Sequence, residues 1–436
     1  MLKRKFYDVL LQWKQNKGKE CLLVKGARQI GKTFIIDYFG RENYRSYIYI
    51  NFIEKPAYKD IFEGELSAEE IYKRMTLVIP DIKLLDGETL IFLDEVQECP
   101  NARTALKFLA LSDRFDVIAS GSLLGISYKE VSSIPVGYET QLEMHSLDFE
   151  EYLWAAGYDA EAIAVLQRYF DNQEKIPSAV HDAMMKQLRE YIVIGGMPAV
   201  VNSFMQNKHF GEVQKEQEKI INSYLDDISK YASNTEKPKV KNCYLSIPKQ
   251  LAKENKKFQF SVVEKKATAR KFENSIEWLR DSNMIRLCYN VSQVAFPLIA
   301  YEKEEQYKAY LSDIGLLVAM YGFEMKKAII DDTLAGVDTG SAKGGIYENL
   351  IADMLTKRGY RLNYYRNTNG TVELEFLISR EAAVLPIEVK ANNGPTRSLD
   401  TLLELEAIPY GYKFTSTNVG TVEKKITMPL YMAMFL

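Results

Sequence analysis

The chain has 436 residues, 47% of them hydrophobic, and a formal net charge of −3. That length suits two to four domains with cores of their own, and the near-neutral charge excludes a nucleic-acid footprint spread over the whole surface, so any such surface is local. Four scattered cysteines without a C-x-x-C pair and three histidines at unrelated spacings argue against a disulfide framework and a zinc site, and no apolar run reaches transmembrane length.

The basic start, Lys3-Arg4-Lys5, leads into Tyr7 to Lys14, an amphipathic helix and not the apolar core of a signal peptide. The expected location is cytoplasmic, with no membrane partner. Glu20 to Lys25 reads as a buried strand. It runs into Gly26-Ala27-Arg28-Gln29-Ile30-Gly31-Lys32-Thr33, which matches G-x-x-x-x-G-K-S/T without a gap, and Phe34 to Phe39 starts a helix. Two glycines let backbone N–H groups curl around phosphate oxygens, and the helix N-terminus adds its positive dipole end. Lys32 is expected to reach the β- and γ-phosphates, and the Thr33 hydroxyl to ligate Mg²⁺. The expected cofactors are therefore ATP and Mg²⁺, cradled by residues 26–33 and Phe34.

Arg45 to Phe52 is a second strand. Thr89-Leu90-Ile91-Phe92-Leu93 suits a central strand covered on both faces, and it ends in Asp94-Glu95. Ligands bind at that edge of an open α/β sheet. Asp94 is expected to hold the magnesium through its water shell and Glu95 to polarise the attacking water. Asp116 to Ser120 and Glu139 to Met144 add two more strands, and helical stretches between strands imply a parallel sheet. At the tip of the strand after the acidic motif, Ser120 or Ser122 is placed to sense the γ-phosphate; a turn using Ser-Gly chemistry would explain either residue as well.

From 151 to about 235 the periodicity is helical, and Gly195-Gly196-Met197-Pro198 stops a helix. This segment reads as a lid over the nucleotide or as a helical linker. Between Lys249 and Arg280 basic residues outnumber acidic ones. Two helices and then a hairpin, starting at Met284 to Val291, make a winged-helix pattern. Its basic helix either lies against DNA phosphates or forms a solvated face of a protein-contact module. In the last part, Gly345 to Leu355 is a helix carrying Glu348. Strands follow at 361–366, 372–378 and 385–390. Side chains alternate, so Glu373 and Glu375 share a face, as do Glu388 and Lys390.

The Gly-Ala-Arg-Gln-Ile-Gly-Lys-Thr loop, Leu93-Asp94-Glu95-Val96-Gln97 and Ala119-Ser120-Gly121-Ser122 together resemble one prokaryotic family. It comprises AAA-type ATPases of the archaeal-ATPase group with a C-terminal domain of unknown function. Leu147 to Tyr152, Gly195 to Pro198 and Tyr310 to Leu316 resemble its later marks. Many members place an arginine after the glycine before the last core strand; this chain has Gly137-Tyr138, which leaves an arginine finger to Arg103 or Arg114. The C-terminal layout resembles restriction-endonuclease-like nucleases, with an acidic residue followed by E-x-K on the next strand. That resemblance implies Mg²⁺ on Glu375 and Glu388, help from Glu348, and Lys390 activating water. Family members usually have Asp where this chain has Glu375.

The expected architecture is α/β: a P-loop ATPase core with a parallel sheet (1–155), a helical lid (156–240), a winged helix (241–310) and a restriction-endonuclease-like α/β domain (311–436). The expected function is an ATP-driven switch or motor, with DNA as a possible partner. The alternative is nucleotide-dependent signalling or assembly, through a protein partner or a homo-oligomer, with an inactive C-terminal domain.

Overall fold

The computed structural model of the chain describes residues 2–16, 18–122, 137–333, 341–391 and 394–436. They form two compact units, one built from 4–146 with 281–283, the other from 2–3, 147–280 and 284–436.

The first unit holds a five-stranded sheet made of β1 (Cys21–Lys25), β2 (Ser46–Asn51), β3 (Thr89–Asp94), β4 (Asp116–Gly121) and β5 (Glu139–Glu143). Its spatial order is β2-β3-β4-β1-β5, and every pairing is parallel. Helices α1 (Lys5–Asn16), α2 (Lys32–Asn43), α3 (Ala68–Val78) and α4 (Pro100–Ser112) accompany it. All six residues of β3 are buried, as a strand covered on both faces must be. Ile91 and Leu93 of that strand pack with Ile48, Ile50, Ala102, Leu106 and Val117 in one core. The order puts β4 between the strand that feeds the glycine loop and the strand that carries Asp94, so both loops emerge at one sheet edge.

The second unit begins with helices α5 (Phe149–Ala155), α6 (Ala160–Asp171), α7 (Ser178–Ile194), α8 (Pro198–Asn207) and α9 (Phe210–Tyr231). Residues 156–240 are thus mainly helical, and they cluster with the C-terminal elements. Next come α10 (Lys237–Leu251), α11 (Phe260–Val263), α12 (Ala269–Asp281), β6 (Ile285–Val291) and β7 (Glu302–Leu311). The hairpin expected to form the wing of a winged helix is not free. β6 pairs in parallel with β8 (Asn363–Arg366) on its other side. It is thereby joined to β9 (Glu373–Arg380), β10 (Ala383–Val389), β11 (Gly411–Thr415), β12 (Gly420–Val422) and β13 (Lys425–Pro429), in the order β12-β13-β11-β10-β9-β8-β6-β7. A boundary at 310 would therefore cut a continuous hydrogen-bonded ladder. The remaining helices are α13 (Ile314–Tyr321), α14 (Phe323–Ile330), α15 (Ala342–Lys357) and α16 (Arg397–Leu403).

The Gly195 to Pro198 turn and the segment Tyr310 to Leu316 meet inside this unit. Asp313 caps α13 by accepting from Leu316 N at 3.2 Å, and its other oxygen accepts from Gly196 N at 2.8 Å. Gly196 O accepts from Leu147 N at 2.7 Å. A Cβ on Gly196 would lie 2.0 Å from Leu147 O, so close backbone approach, not turn conformation, demands the glycine.

Candidate functional site

The glycine loop joins β1 to α2. Gly26 has φ 148° and a Cβ there would meet Met144 O at 2.3 Å; Gln29 and Gly31 also have positive φ, 63° and 91°. These left-handed steps turn the backbone tightly before the helix begins. Ile30 is buried and its carbonyl accepts from Arg4 at 3.0 Å, which anchors the loop from behind. Ala27 is buried, Arg28 half-buried, and Phe34 is 60% exposed on α2. Lys32 is buried and donates to Gly26 O at 2.9 Å and Ala27 O at 2.7 Å. Burial pushes its ammonium down to about 8; Glu95 and Asp94 oppose that, and Arg28 adds to it.

Asp94 is the hub of the site. One carboxylate oxygen accepts from Thr33 Oγ1 at 2.9 Å, Tyr49 OH at 3.1 Å and Asn51 Nδ2 at 3.2 Å. The other accepts from Glu95 N at 3.1 Å and from the Ser120 hydroxyl. Glu95 follows with φ 55°, a conformation uncommon for a non-glycine residue and frequent where function holds it. Gln97 donates its amide to the Glu95 carboxylate. Ser122 is buried and its hydroxyl has no hydrogen-bond partner among the described residues. Lys32, Thr33, Asp94, Glu95 and Ser120 are therefore brought into one neighbourhood. Ser120 is committed to Asp94, which leaves Ser122 as the hydroxyl with bonding capacity to spare. The hydroxyl-plus-carboxylate pair of Thr33 and Asp94 is a hard oxygen donor set of the kind Mg²⁺ takes.

Tyr49 and Asn51 were not singled out by the sequence. Their signal was present: they alternate on one face at the C-terminal end of β2, and Asn51 pairs in register with Asp94. Arg103, a candidate arginine finger, is 2% exposed and ion-paired to Glu139 inside the domain, so it cannot reach a neighbouring nucleotide. Arg114 is half-buried and paired with Asp86 at 3.0 Å and Glu69 at 3.2 Å.

The C-terminal residues are also gathered, but around lysines. Glu348 on α15 lies 3.0 Å from Lys256 and 3.5 Å from Lys308, and accepts from Tyr310 OH at 3.1 Å. Lys308 reaches Glu373 at 3.0 Å. Lys390 lies 2.8 Å from Glu388 and 3.5 Å from Glu375. Backbone N–H groups of Val389 and Leu399 approach Glu375 and Glu388, both at 3.3 Å. Burial pushes the Glu375 carboxyl up to about 7; Lys390 opposes this, while Glu348 and Glu388 add to it. Burial raises Glu348 too, but Lys308 and Lys256 overcome it and hold that carboxyl below its usual value. Among the described residues no group of three or more acidic, histidine or cysteine side chains is arranged to hold a metal ion. The three carboxylates expected to converge on Mg²⁺ each face a lysine: Glu348 faces Lys256 and Lys308, and Glu375 and Glu388 face Lys390. Lys256 and Lys308, which pair with Glu348, come from the segment after α10 and from β7, far from the E-x-K strand in sequence.

A parallel sheet with an added strand between the glycine-loop strand and the acidic strand, and a Lys-Thr/Asp-Glu pair at its edge, define a P-loop nucleoside triphosphatase domain. Comparison with known families agrees: residues 18–153 match the model described as AAA domain. Residues 185–327 and 343–431 match two domains of unknown function, DUF8612 and DUF4143. No curated protein matches the chain. Similar solved structures include the Walker-type ATPase PABY2304 of Pyrococcus abyssi, at 14% identity, covering 74% of this chain and 96% of that one, with a TM-score of 0.44. Others are the Aeropyrum pernix ORC1 protein in complex with DNA (12%, 76% and 92%, TM-score 0.29) and AMPPCP-bound DnaA from Aquifex aeolicus (12%, 64% and 88%, TM-score 0.26). Values this low say nothing of what this chain binds. Among the described residues no helix is long and apolar enough to cross a membrane.

Proposed function

We propose that the chain binds Mg·ATP on the 26–33 loop and hydrolyses it, using nucleotide state as a switch for the elements from 147 onward. The observation that supports this most is the Asp94 carboxylate, tied at once to Thr33, Ser120 and Asn51. Those bonds fix the acidic strand, the added strand and the phosphate loop against one another. Thr33, and Asp94 through water, would hold Mg²⁺, which supplies neutralisation of charge on the transferred phosphoryl group. The Lys32 ammonium leaves the loop carbonyls for the β- and γ-phosphates. Glu95 positions the attacking water and takes its proton. The unpartnered Ser122 hydroxyl donates toward the γ-phosphate and so distinguishes triphosphate from diphosphate.

The C-terminal unit acts by binding and not by cutting. What favours this is the pairing of each candidate carboxylate with a lysine. DNA and a protein or a second copy remain the two partner classes. ATP hydrolysis measured with duplex DNA, single strands and RNA separates them. A rate rise with nucleic acid supports the first, and indifference with a nucleotide-dependent change in oligomeric state supports the second. Glu95→Gln tests the central step. Hydrolysis should fall by about two to four orders of magnitude while Mg·ATP still binds. A wild-type rate in that variant would remove Glu95 from its role.

A further inference from the structure

A second polar site lies in the C-terminal unit. A cleft of about 340 Å³ opens between the segment after α10, strands β6 and β7, and the turn that follows β8. None of its lining residues is acidic, while Lys257, Lys303 and Arg366 supply three positive charges. In a chain of net charge −3 this is a strong local excess. Among the described residues neither Lys257 nor Lys303 has a carboxylate partner, and Arg366 makes one long contact, 3.5 Å to Glu373.

The wall of the cleft is built, not merely solvated. Tyr364 lines it, is 1% exposed, and its hydroxyl has no hydrogen-bond partner among the described residues. A buried hydroxyl left unpaired costs free energy unless a group from outside the chain supplies the partner. Asn290, also buried, donates to Gln306 Oε1 at 2.9 Å and accepts from Arg366 N at 2.9 Å. This holds the amide wall rigid and leaves the Gln306 amide nitrogen unused by that bond. A register shift between Tyr289 and Asn290 sits behind this wall, and such irregularities re-aim side chains beside sites.

We infer that this cleft binds a nucleotide, either free or as one unit of a single strand, with the cations on its phosphates and the amides and Tyr364 hydroxyl on its base or sugar. The volume lies at the small end of ligand pockets, which run from about 300 to 1,000 Å³, and it cannot admit a duplex. Amide side chains carry both donors and acceptors and so match the edges of an unpaired base, while lysine and arginine match phosphate. The inference is independent of the ATP reading, because no residue of the 26–33 loop takes part.

The test uses the full chain without triphosphate and reads a labelled strand, so that nucleotide bound on the 26–33 loop does not register. Labelled single-stranded DNA and RNA tetranucleotides are titrated, with AMP, duplex DNA and inorganic phosphate as competitors. Single strands should bind, AMP should displace them, and duplex and inorganic phosphate should compete at least about tenfold more weakly, since they lack free base edges. AMP binding without strand binding would assign the site to free nucleotides. The double variant Lys257→Gln/Lys303→Gln should weaken binding about tenfold or more and lower the salt slope by about 1.4, two phosphate contacts to a single strand at about 0.7 each. Tyr364→Phe, which keeps the ring and removes only the hydroxyl, should weaken binding severalfold without lowering the melting temperature. No binding of strand or AMP by the wild type, unchanged affinity in both variants, or equal competition by inorganic phosphate would each overturn the inference.

Discussion

Raising the pH from 7 to 9 should weaken ATP binding about tenfold through Lys32. The side chain is 7% exposed, and burial pushes its ammonium down to about 8 despite the Asp94 and Glu95 carboxylates. Binding to the β- and γ-phosphates needs the charged form. With a value near 8, roughly ten molecules in eleven carry the proton at pH 7, and roughly one in eleven does at pH 9. Each pH unit above 8 therefore costs about 1.4 kcal/mol of binding free energy. For folding the sign is the reverse. A lysine lowered from 10.5 to about 8 costs stability while charged, and that cost fades as pH rises from 8 to 10.5. Calorimetric titration of ATP in two buffers of different ionisation heat reads affinity and proton uptake together. Uptake should be about 0.1 proton at pH 7 and about 0.9 at pH 9. Equal affinity at both values with no proton uptake would refute the reasoning. Lys32→Ala should lose ATP binding at every pH, and undiminished affinity in that variant would sink the reading of the loop itself.

Three further outcomes are expected. Gly196→Ala places a methyl 2.0 Å from Leu147 O and displaces the hydrogen bonds to Leu147 and Asp313; it should destabilise the second unit by about 3–5 kcal/mol in urea denaturation, whereas Gly420→Ala, with nothing within 4 Å, should stay within about 0.5 kcal/mol. The raised Glu375 carboxyl holds a proton in the folded state that the unfolded chain loses near 4.5, so the second unit should lose stability as pH rises from about 4.5 to 7. Glu375→Gln should flatten that slope, and a urea midpoint that still falls with pH in the variant would assign it to another group. Glu388→Ala with Lys390→Ala should leave ATP hydrolysis unchanged, and wild-type protein should not cut nucleic acid with Mg²⁺ or Mn²⁺. Metal-dependent cleavage that this double variant abolishes would reinstate the nuclease reading.

The phosphate loop was legible because its chemistry is contiguous. Gly26, Gly31, Lys32 and Thr33 act through backbone turns and one helix N-terminus, all set within eight residues. The buried strand at 89–94 was equally plain, since an unbroken apolar run ending in two carboxylates needs cover on both faces and an open end. The C-terminal strands and the facing of Glu388 and Lys390 followed from alternation alone. Other features needed the fold. Tyr49 and Asn51 reach Asp94 only because β2 lies beside β3 in the sheet. The glycines at 195–196 meet Asp313 across more than a hundred residues, and no local signal marks such a contact. Lys256 and Lys308 pair with Glu348, yet neither lies near it in sequence. Charge compensation acts through space at 3–4 Å and is strongest where water is excluded, so its partners are set by strand order and burial. A chain read one residue after another shows which groups could carry charge; the tertiary structure decided which of them face each other.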